Sequence, residues 1–182
     1  MAICKLNRNL LRSTNCGYSL PDVTDIYLIS YEDLDGNPGI SSDTTTGCEA
    51  ITAVTFASGG VVSHIEPAKN SASFSDALAT GTTGNKYRVH TLSFSVVGAY
   101  DDCMHGSLDA LSLGRYFAVI KTAEGTYLGL GRISPLEAET AELAGGGDNN
   151  GIQIVLTGNV AESAIPLTDT AVGQVLEKII QG

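Results

Sequence analysis

Lys86-Tyr87-Arg88-Val89-His90-Thr91-Leu92-Ser93-Phe94-Ser95-Val96-Val97 is the stretch on which the fold turns. Its centre alternates: Leu92, Phe94 and Val96 share one face while Ser93 and Ser95 take the other, the pattern of a half-buried strand. Gly98 ends it, and Tyr100-Asp101-Asp102 opens a helical segment that runs to about Leu113, with Gly114 as its stop. Arg115-Tyr116-Phe117-Ala118-Val119-Ile120-Lys121-Thr122 is nearly continuous in apolar character, which predicts a strand buried on both faces. Ala123-Glu124-Gly125 turns that strand into residues 126–132, whose glycines predict a backbone packed closely against a neighbour. No reactive motif lies in this stretch, which reads as scaffold.

Upstream, Ile26-Tyr27-Leu28-Ile29-Ser30-Tyr31 reads as the first strand, rich in β-branched and aromatic residues. Residues 50–56 alternate, and Gly59-Gly60 predicts a turn pairing them with residues 61–66 as a hairpin. Three long loops are expected, at 32–48, 67–85 and 134–150, each dense in small and polar residues. In the second, Phe74 and Leu78 are the large apolar residues. Two anchors are few against ~1–2 kcal/mol of backbone entropy per residue, so this loop is expected to be ordered by a neighbouring subunit. Residues 152–158 read as the last strand. Thr168-Asp169 can cap a final helix with a stripe of Val172, Val175, Leu176, Ile179 and Ile180. The expected layout is an arm (1–21), a β-sandwich domain (22–165) and a C-terminal helix (166–182).

Composition supports a mainly β, β-rich α+β fold of two packed antiparallel sheets with one internal and one C-terminal helix. Glycine is abundant, with 21 residues, and charged residues make up only 16%. The net charge of −10 argues against a protein that wraps nucleic acid, because such proteins neutralise phosphate with Lys and Arg. The charge is unevenly spread. Lys5, Arg8 and Arg12 all precede the first acid, Asp22, so a basic arm joins an acidic body. That invites docking of one copy on another, as against a merely solvated tail.

Cys4, Cys16, Cys48 and Cys103 show no paired or metal-ligand spacing. No apolar signal-peptide core and no run of ~20 apolar residues is present, so synthesis in a cytoplasm with reduced thiols and no membrane association is expected.

Candidate chemistry is sparse. Asp33-x-Asp35-Gly36-Asn37 and Gly147-Asp148-Asn149-Asn150-Gly151 have the residue types of calcium loops but lack the closing Glu and flanking helices, and turn chemistry explains them. Asp101, Asp102, Cys103 and His105 gather potential ligands, yet a zinc site needs three or four, with the rest from afar. His64 and His90 lie on predicted strands and could in principle converge, though ordinary structural or surface histidines are the expectation. Cys103 with either histidine as a nucleophile–base pair has no local pattern behind it, and neither phosphate-loop nor nucleophile-elbow spacing occurs. The chain therefore reads as non-enzymatic, with no cofactor and no metal.

A wider pattern spans most of residues 20–160. It comprises Asp25-Ile26-Tyr27-Leu28 after the short arm, and Phe74-x-x-Ala77-Leu78 followed by Gly84-Asn85-x-Tyr87-x-x-His90-x-Leu92-x-Phe94. Then come the helix before Arg115-Tyr116-Phe117-Ala118-Val119-Ile120, Glu124-Gly125-x-Tyr127, and Asp148-x-x-Gly151-Ile152-x-Ile154-x-Leu156-Thr157-Gly158. In order and spacing it resembles the tail tube proteins of long-tailed bacteriophages, in the form associated with phages of gut Bacteroidetes. The resemblance implies two antiparallel sheets with a flanking helix, and hexameric rings stacked head to tail around a channel for double-stranded DNA, with loops and arms bridging rings. Lys5, Arg8, Arg12, Phe74 and Leu78 then become candidate inter-subunit contacts in a virion, alongside other tail or neck proteins. The segment after Pro166 has no counterpart in that pattern, which leaves a head–tail neck ring protein open. A carbohydrate-binding β-sandwich is a further alternative, disfavoured by the absence of Trp.

Overall fold

The computed structural model describes residues 23–43, 48–97, 104–146 and 151–180. In chain order the strands begin with β1 (Val23–Ser30), followed by a short 3-10 turn at Tyr31–Asp33, then β2 (Gly39–Asp43), β3 (Cys48–Ala53) and β4 (Ser63–Ile65). β5 (Ser73–Thr80) and β6 (Lys86–Val97) form a hairpin, and helix α1 spans Met104–Leu113. β7 (Arg115–Thr122), β8 (Tyr127–Leu130), β9 (Leu136–Ala144), β10 (Gly151–Val160) and β11 (Ile165–Pro166) precede helix α2 (Asp169–Leu176). The chain is mainly β, with two antiparallel sheets and two helices, as the composition implied.

The sheets are unequal. One holds nine strands in the order β11-β8-β7-β9-β10-β6-β5, with β1 on β7 and β4 on β1; the other is the β2–β3 pair. The large sheet packs against itself. Ile26 and Leu28 of β1 and Ala118 and Ile120 of β7 share one core with Leu92 and Phe94 of β6 and Ile154 and Leu156 of β10. A second core lies behind β1 and β7. There Tyr27, Ile29, Phe117 and Val119 meet Ile51 of β3, Val54, Val62 and, from α2, Ala171 and Val175. Alternate residues of β7 thus serve different cores, and all four from Phe117 to Ile120 are fully buried. This is what its unbroken apolar run predicts.

Helix α1 closes one end of the first core, with Leu108 and Leu111 packed on it, and the Tyr116 hydroxyl donates to the Ala110 carbonyl at 2.6 Å. Helix α2 starts where expected: the Thr168 hydroxyl accepts the Ala171 N–H at 3.4 Å. Its stripe differs. Ala171 and Val175 are buried, while Leu176 and Ile180 are exposed, because the helix ends at Leu176. The following segment instead pairs with Val62, which donates to Lys178 and accepts from the N–H of Ile180.

Five expectations require correction. The 67–85 and 134–150 loops contain the strands β5 and β9, and residues 32–48 contain the 3-10 turn and β2. β5 is ordered by its own chain, through eight paired positions with β6, and not by a neighbour. Its side chains are mostly exposed on both faces, as are those of β9, so neither shows the alternation by which a strand is recognised. The hairpin expected between residues 50–56 and 61–66 does not form either: β3 pairs with β2 and β4 with β1. Gly60 passes so close to Asp33 that an added Cβ would lie 2.5 Å from its carbonyl oxygen, which carries the chain past the 3-10 turn and onto β1.

The close approach expected of the glycines after Gly125 is present at Gly129. A Cβ there would sit 2.6 Å from Ile51 Cδ1 and 3.1 Å from the Phe117 ring, and both side chains are fully buried with nowhere to retreat. Gly129→Ala should therefore lower stability by about 1–3 kcal/mol, the range for overpacking a tight core. Urea unfolding of the variant against the parent measures it; an unchanged midpoint would show that the second core is loosely packed.

Candidate functional site

The half-sheet β9-β10-β6-β5 sets its geometry by register. Leu92, Phe94, Ile154 and Leu156 face the core, so the residues between them face outward. The outward rows are Ser73, Ser75, Ala77 and Ala79 on β5, Tyr87, Val89, Thr91, Ser93 and Ser95 on β6, and Gln153, Val155, Thr157 and Asn159 on β10. β9 adds Glu137, Thr140 and Glu142. No Lys or Arg of these four strands stands on this face; Arg115, at the β7 corner, lies opposite Glu137. The result is a broad neutral-to-acidic wall, with small residues along β5 and at the serines of β6, and with Tyr87, Val89 and Val155 as its larger apolar members.

Both long edges of this wall are open among the described strands. β5 has β6 on one side only. β9 pairs with β7 only at Leu136 and Glu137, leaving its remainder paired with β10 alone. The two edges differ. β9 carries Glu139 and Glu142 and a register shift, devices that discourage chance pairing. β5 has eight residues in uninterrupted register, no Pro, no Lys, and Phe74 and Leu78 at 36% and 59% exposure. The structure thus places both predicted contact residues on one exposed edge strand. Lys5, Arg8 and Arg12 lie outside the described residues.

Beneath the β5–β6 hairpin sits a polar network that sequence reading did not assemble. Asp76 on β5 receives Arg88 in a two-pronged pair at 2.7 and 2.9 Å, and accepts the Ala164 N–H at 3.0 Å. Burial works against the ionised carboxyl, but Arg88, the Ala164 N–H and His90 outweigh it and hold the pKa of Asp76 below the ordinary value. Arg132 forms a second such pair with Glu162 and donates to the Pro38 carbonyl at 2.9 Å. The Tyr31 hydroxyl, its pKa pushed up to about 12 by burial and by Glu162, donates to the Arg132 carbonyl at 2.6 Å. His90, 1% exposed, accepts the Gly131 N–H on Nδ1. That places its proton on Nε2, which lies 3.5 Å from Asp76 Oδ1 and has no hydrogen-bond partner.

One signal for this network was available: Arg88 and His90 occupy the same face as Leu92 and Phe94, and polar groups on a core face need partners. The partners, 12 to 88 residues away, carried no mark. His90 is sealed from substrates, so the network's evident work is to fix the hairpin to residues 131–132 and 162–164. His64 takes a different partner, Asp25, and the two histidines do not converge on one site. Asp33 and Asp35 are pinned by backbone bonds to Ala57 and Thr55. His105 pairs with Asp109 on the exposed face of α1. Asp101, Asp102, Cys103 and residues 148–150 lie outside the described residues, as do Cys4 and Cys16; Cys48 is exposed.

A groove of about 510 Å³ lies between α1, β4 and the 3-10 turn, with Leu28, Val61, Leu113 and Tyr116 among Glu32, Asp33, Asp109 and Arg115. Three acids against one base make it an acidic, partly apolar cleft. No helix among the described residues is long and apolar enough to cross a membrane. Comparison of the chain with models of known protein families, with characterised proteins and with solved structures finds no match.

The network carries a pH signature. Burial pushes the His90 pKa down, and Asp76 and Glu162 offset this only in part. A folded-state pKa below the unfolded one means that the unfolded chain binds the proton more tightly. The stabilisation is then complete above the ordinary histidine value of about 6.5 and is lost as pH falls below it. Urea midpoints should drop between about pH 7.5 and about pH 5.5 in the parent, and this pH dependence should be reduced in His90→Asn.

Proposed function

We propose that this chain is a non-enzymatic virion subunit that pairs edge to edge into a closed ring, the rings stacking as a phage tail tube around a channel for DNA. The observation that carries this reading is the edge strand β5, whose outer side has no partner among the described strands. Long, flat edges without Lys, Pro or a bulge are templates for pairing, and proteins that remain monomers blunt them. β5 of one copy meeting β9 of the next is a heterologous contact, the kind that closes into a ring when the rotation suits. Six copies contributing four strands each, at about 4.8 Å spacing, make a wall roughly 37 Å in backbone diameter, wide enough for a duplex after inward side chains are allowed for. A neutral-to-acidic wall without Lys or Arg repels phosphate, which suits passage rather than binding. The groove offers acidic and apolar surface to the basic arm of a neighbouring copy, and so a route to stacking. A neck ring at the head–tail junction uses the same surfaces and is the second reading, favoured by the α2 segment.

Phe74 and Leu78 flank Asp76 on β5 and stand largely outside both cores. Phe74→Ser with Leu78→Ser should leave the thermal midpoint of the monomer nearly unchanged and abolish rings in negative-stain electron micrographs of concentrated protein. Uniform ~19 kDa monomers for the parent chain under the same conditions would sink the assembly reading.

Removing residues 1–15 takes away Lys5, Arg8 and Arg12 and none of the described residues. The truncated chain should keep its circular dichroism spectrum and form single rings without stacks, read by sedimentation velocity; undiminished stacking would remove the arm from the mechanism.

A further inference from the structure

We propose that Asp25, His64 and Glu66 form a binding site for a divalent transition-metal ion, one that pins the short strand β4 to β1. Asp25 and His64 come from the adjacent strands β1 and β4, and Glu66 follows directly on the last residue of β4. Tyr27 of β1 stands opposite His64 of β4, and Asp25 stands opposite Lys121 of β7, so successive rows cross the sheet. The potential ligand atoms of Asp25, His64 and Glu66 all lie within 4.8 Å of one another. His64 Nε2 and Asp25 Oδ1 are already 3.0 Å apart. Ligand atoms at about 2.0–2.2 Å from a tetrahedral ion are separated by roughly 3.4 Å, so this pair already spans one edge of such a site. Glu66, exposed and with its carboxylate already within 4.8 Å of the other two ligand atoms, supplies the third ligand by a side-chain rotation, and water completes the shell.

Outer partners are in place. The Asp25 oxygen that does not face His64 accepts the Thr24 hydroxyl at 2.9 Å and pairs with Lys121 at 3.3 Å, which aims Oδ1 at the imidazole. The His64 ring stacks on Tyr27 with centroids 4.8 Å apart and planes 12° from parallel, which fixes its direction. Lys121 leaves one net negative charge among the three ligands when the imidazole is neutral, enough to favour a dication without collecting several. One imidazole with two carboxylates suits zinc, cobalt or manganese better than calcium or magnesium, which prefer all-oxygen shells. The consequence is local. β4 is held by only three paired positions, and an ion joining His64 and Glu66 to Asp25 adds a cross-strand staple there.

The test uses the full chain, stripped with chelator and titrated with Co²⁺ and separately with Zn²⁺. Co²⁺ should give a weak visible band that saturates at one equivalent, and excess Zn²⁺ should raise the thermal midpoint while Mg²⁺ and Ca²⁺ do not. His64→Ala and Glu66→Gln, both changes at exposed side chains, should remove the band and the shift yet leave the metal-free midpoint close to that of the parent. Three results overturn the site: no band and no Zn²⁺-dependent shift in the parent chain, retention of both in the two variants, or an intense near-ultraviolet thiolate-to-cobalt band, which would put the ion on cysteine.

Discussion

The structure depends on one strand being dry on both sides. Phe117 and Val119 of β7 face one core while Ala118 and Ile120 face the other, and none of the four is measurably exposed. A strand in that position cannot satisfy its backbone with water, so its N–H and C=O groups must go to flanking strands. β1 takes one side along almost its whole length; β8 takes the other side at one end and β9 at the opposite end. Sharing one side of β7 between β8 and β9 lets the chain divide there. β8 continues into the two-core part of the fold, and β9 begins the outlying wall. The close approach at Gly129, where Ile51 and Phe117 leave no room for a methyl group, belongs to the same constraint.

The outlying wall needs a different anchor, because β5 has almost no apolar contact with either core. Its hydrogen bonds to β6 supply alignment, and the Asp76–Arg88 pair supplies attachment, reaching through the Ala164 N–H to the segment after β10. Partly buried pairs of this kind are costly to desolvate, and replacing them by apolar residues is often neutral for stability. Their use here is directional. Two-pronged Arg–carboxylate pairs fix angle as well as distance, and the hairpin is held at a set inclination to the remainder of the sheet. His90, with one nitrogen satisfied and the other unpartnered, is the least relaxed member of that network.

Such a division of labour is what the proposed ring assembly would use. The cores hold the fold without side chains from β5, whose outer edge has no partner among the described strands, and the outward rows of β6 and β10 carry no charge. The Asp25–His64–Glu66 cluster sits on another part of the sheet, at the β4 margin, where three paired positions hold the strand and the proposed ion would add a further link.

The sequence by itself determined the central strands and the final helix cap. Leu92, Phe94 and Val96 alternating with serines, and the unbroken run at Arg115–Thr122, state which faces meet apolar surroundings, and that is a local property written side chain by side chain. Thr168 likewise announces a helix start within three residues. Phe74 and Leu78 were legible as exposed apolar residues, though not as members of a strand. What only the tertiary structure decided was pairing. β9 is built of Leu, Glu and Ala with a single Thr140, mostly residues that favour helix in isolation, and it is a strand because β10 lies beside it; β5 is one because β6 does. The choice of β1 for β4 and β2 for β3, and the meeting of Asp76 with Arg88 or Asp25 with His64, follow from chain path. The reason is physical: backbone hydrogen bonds are the same for every residue but proline, so a strand exposed on both faces leaves no side-chain record of its partner.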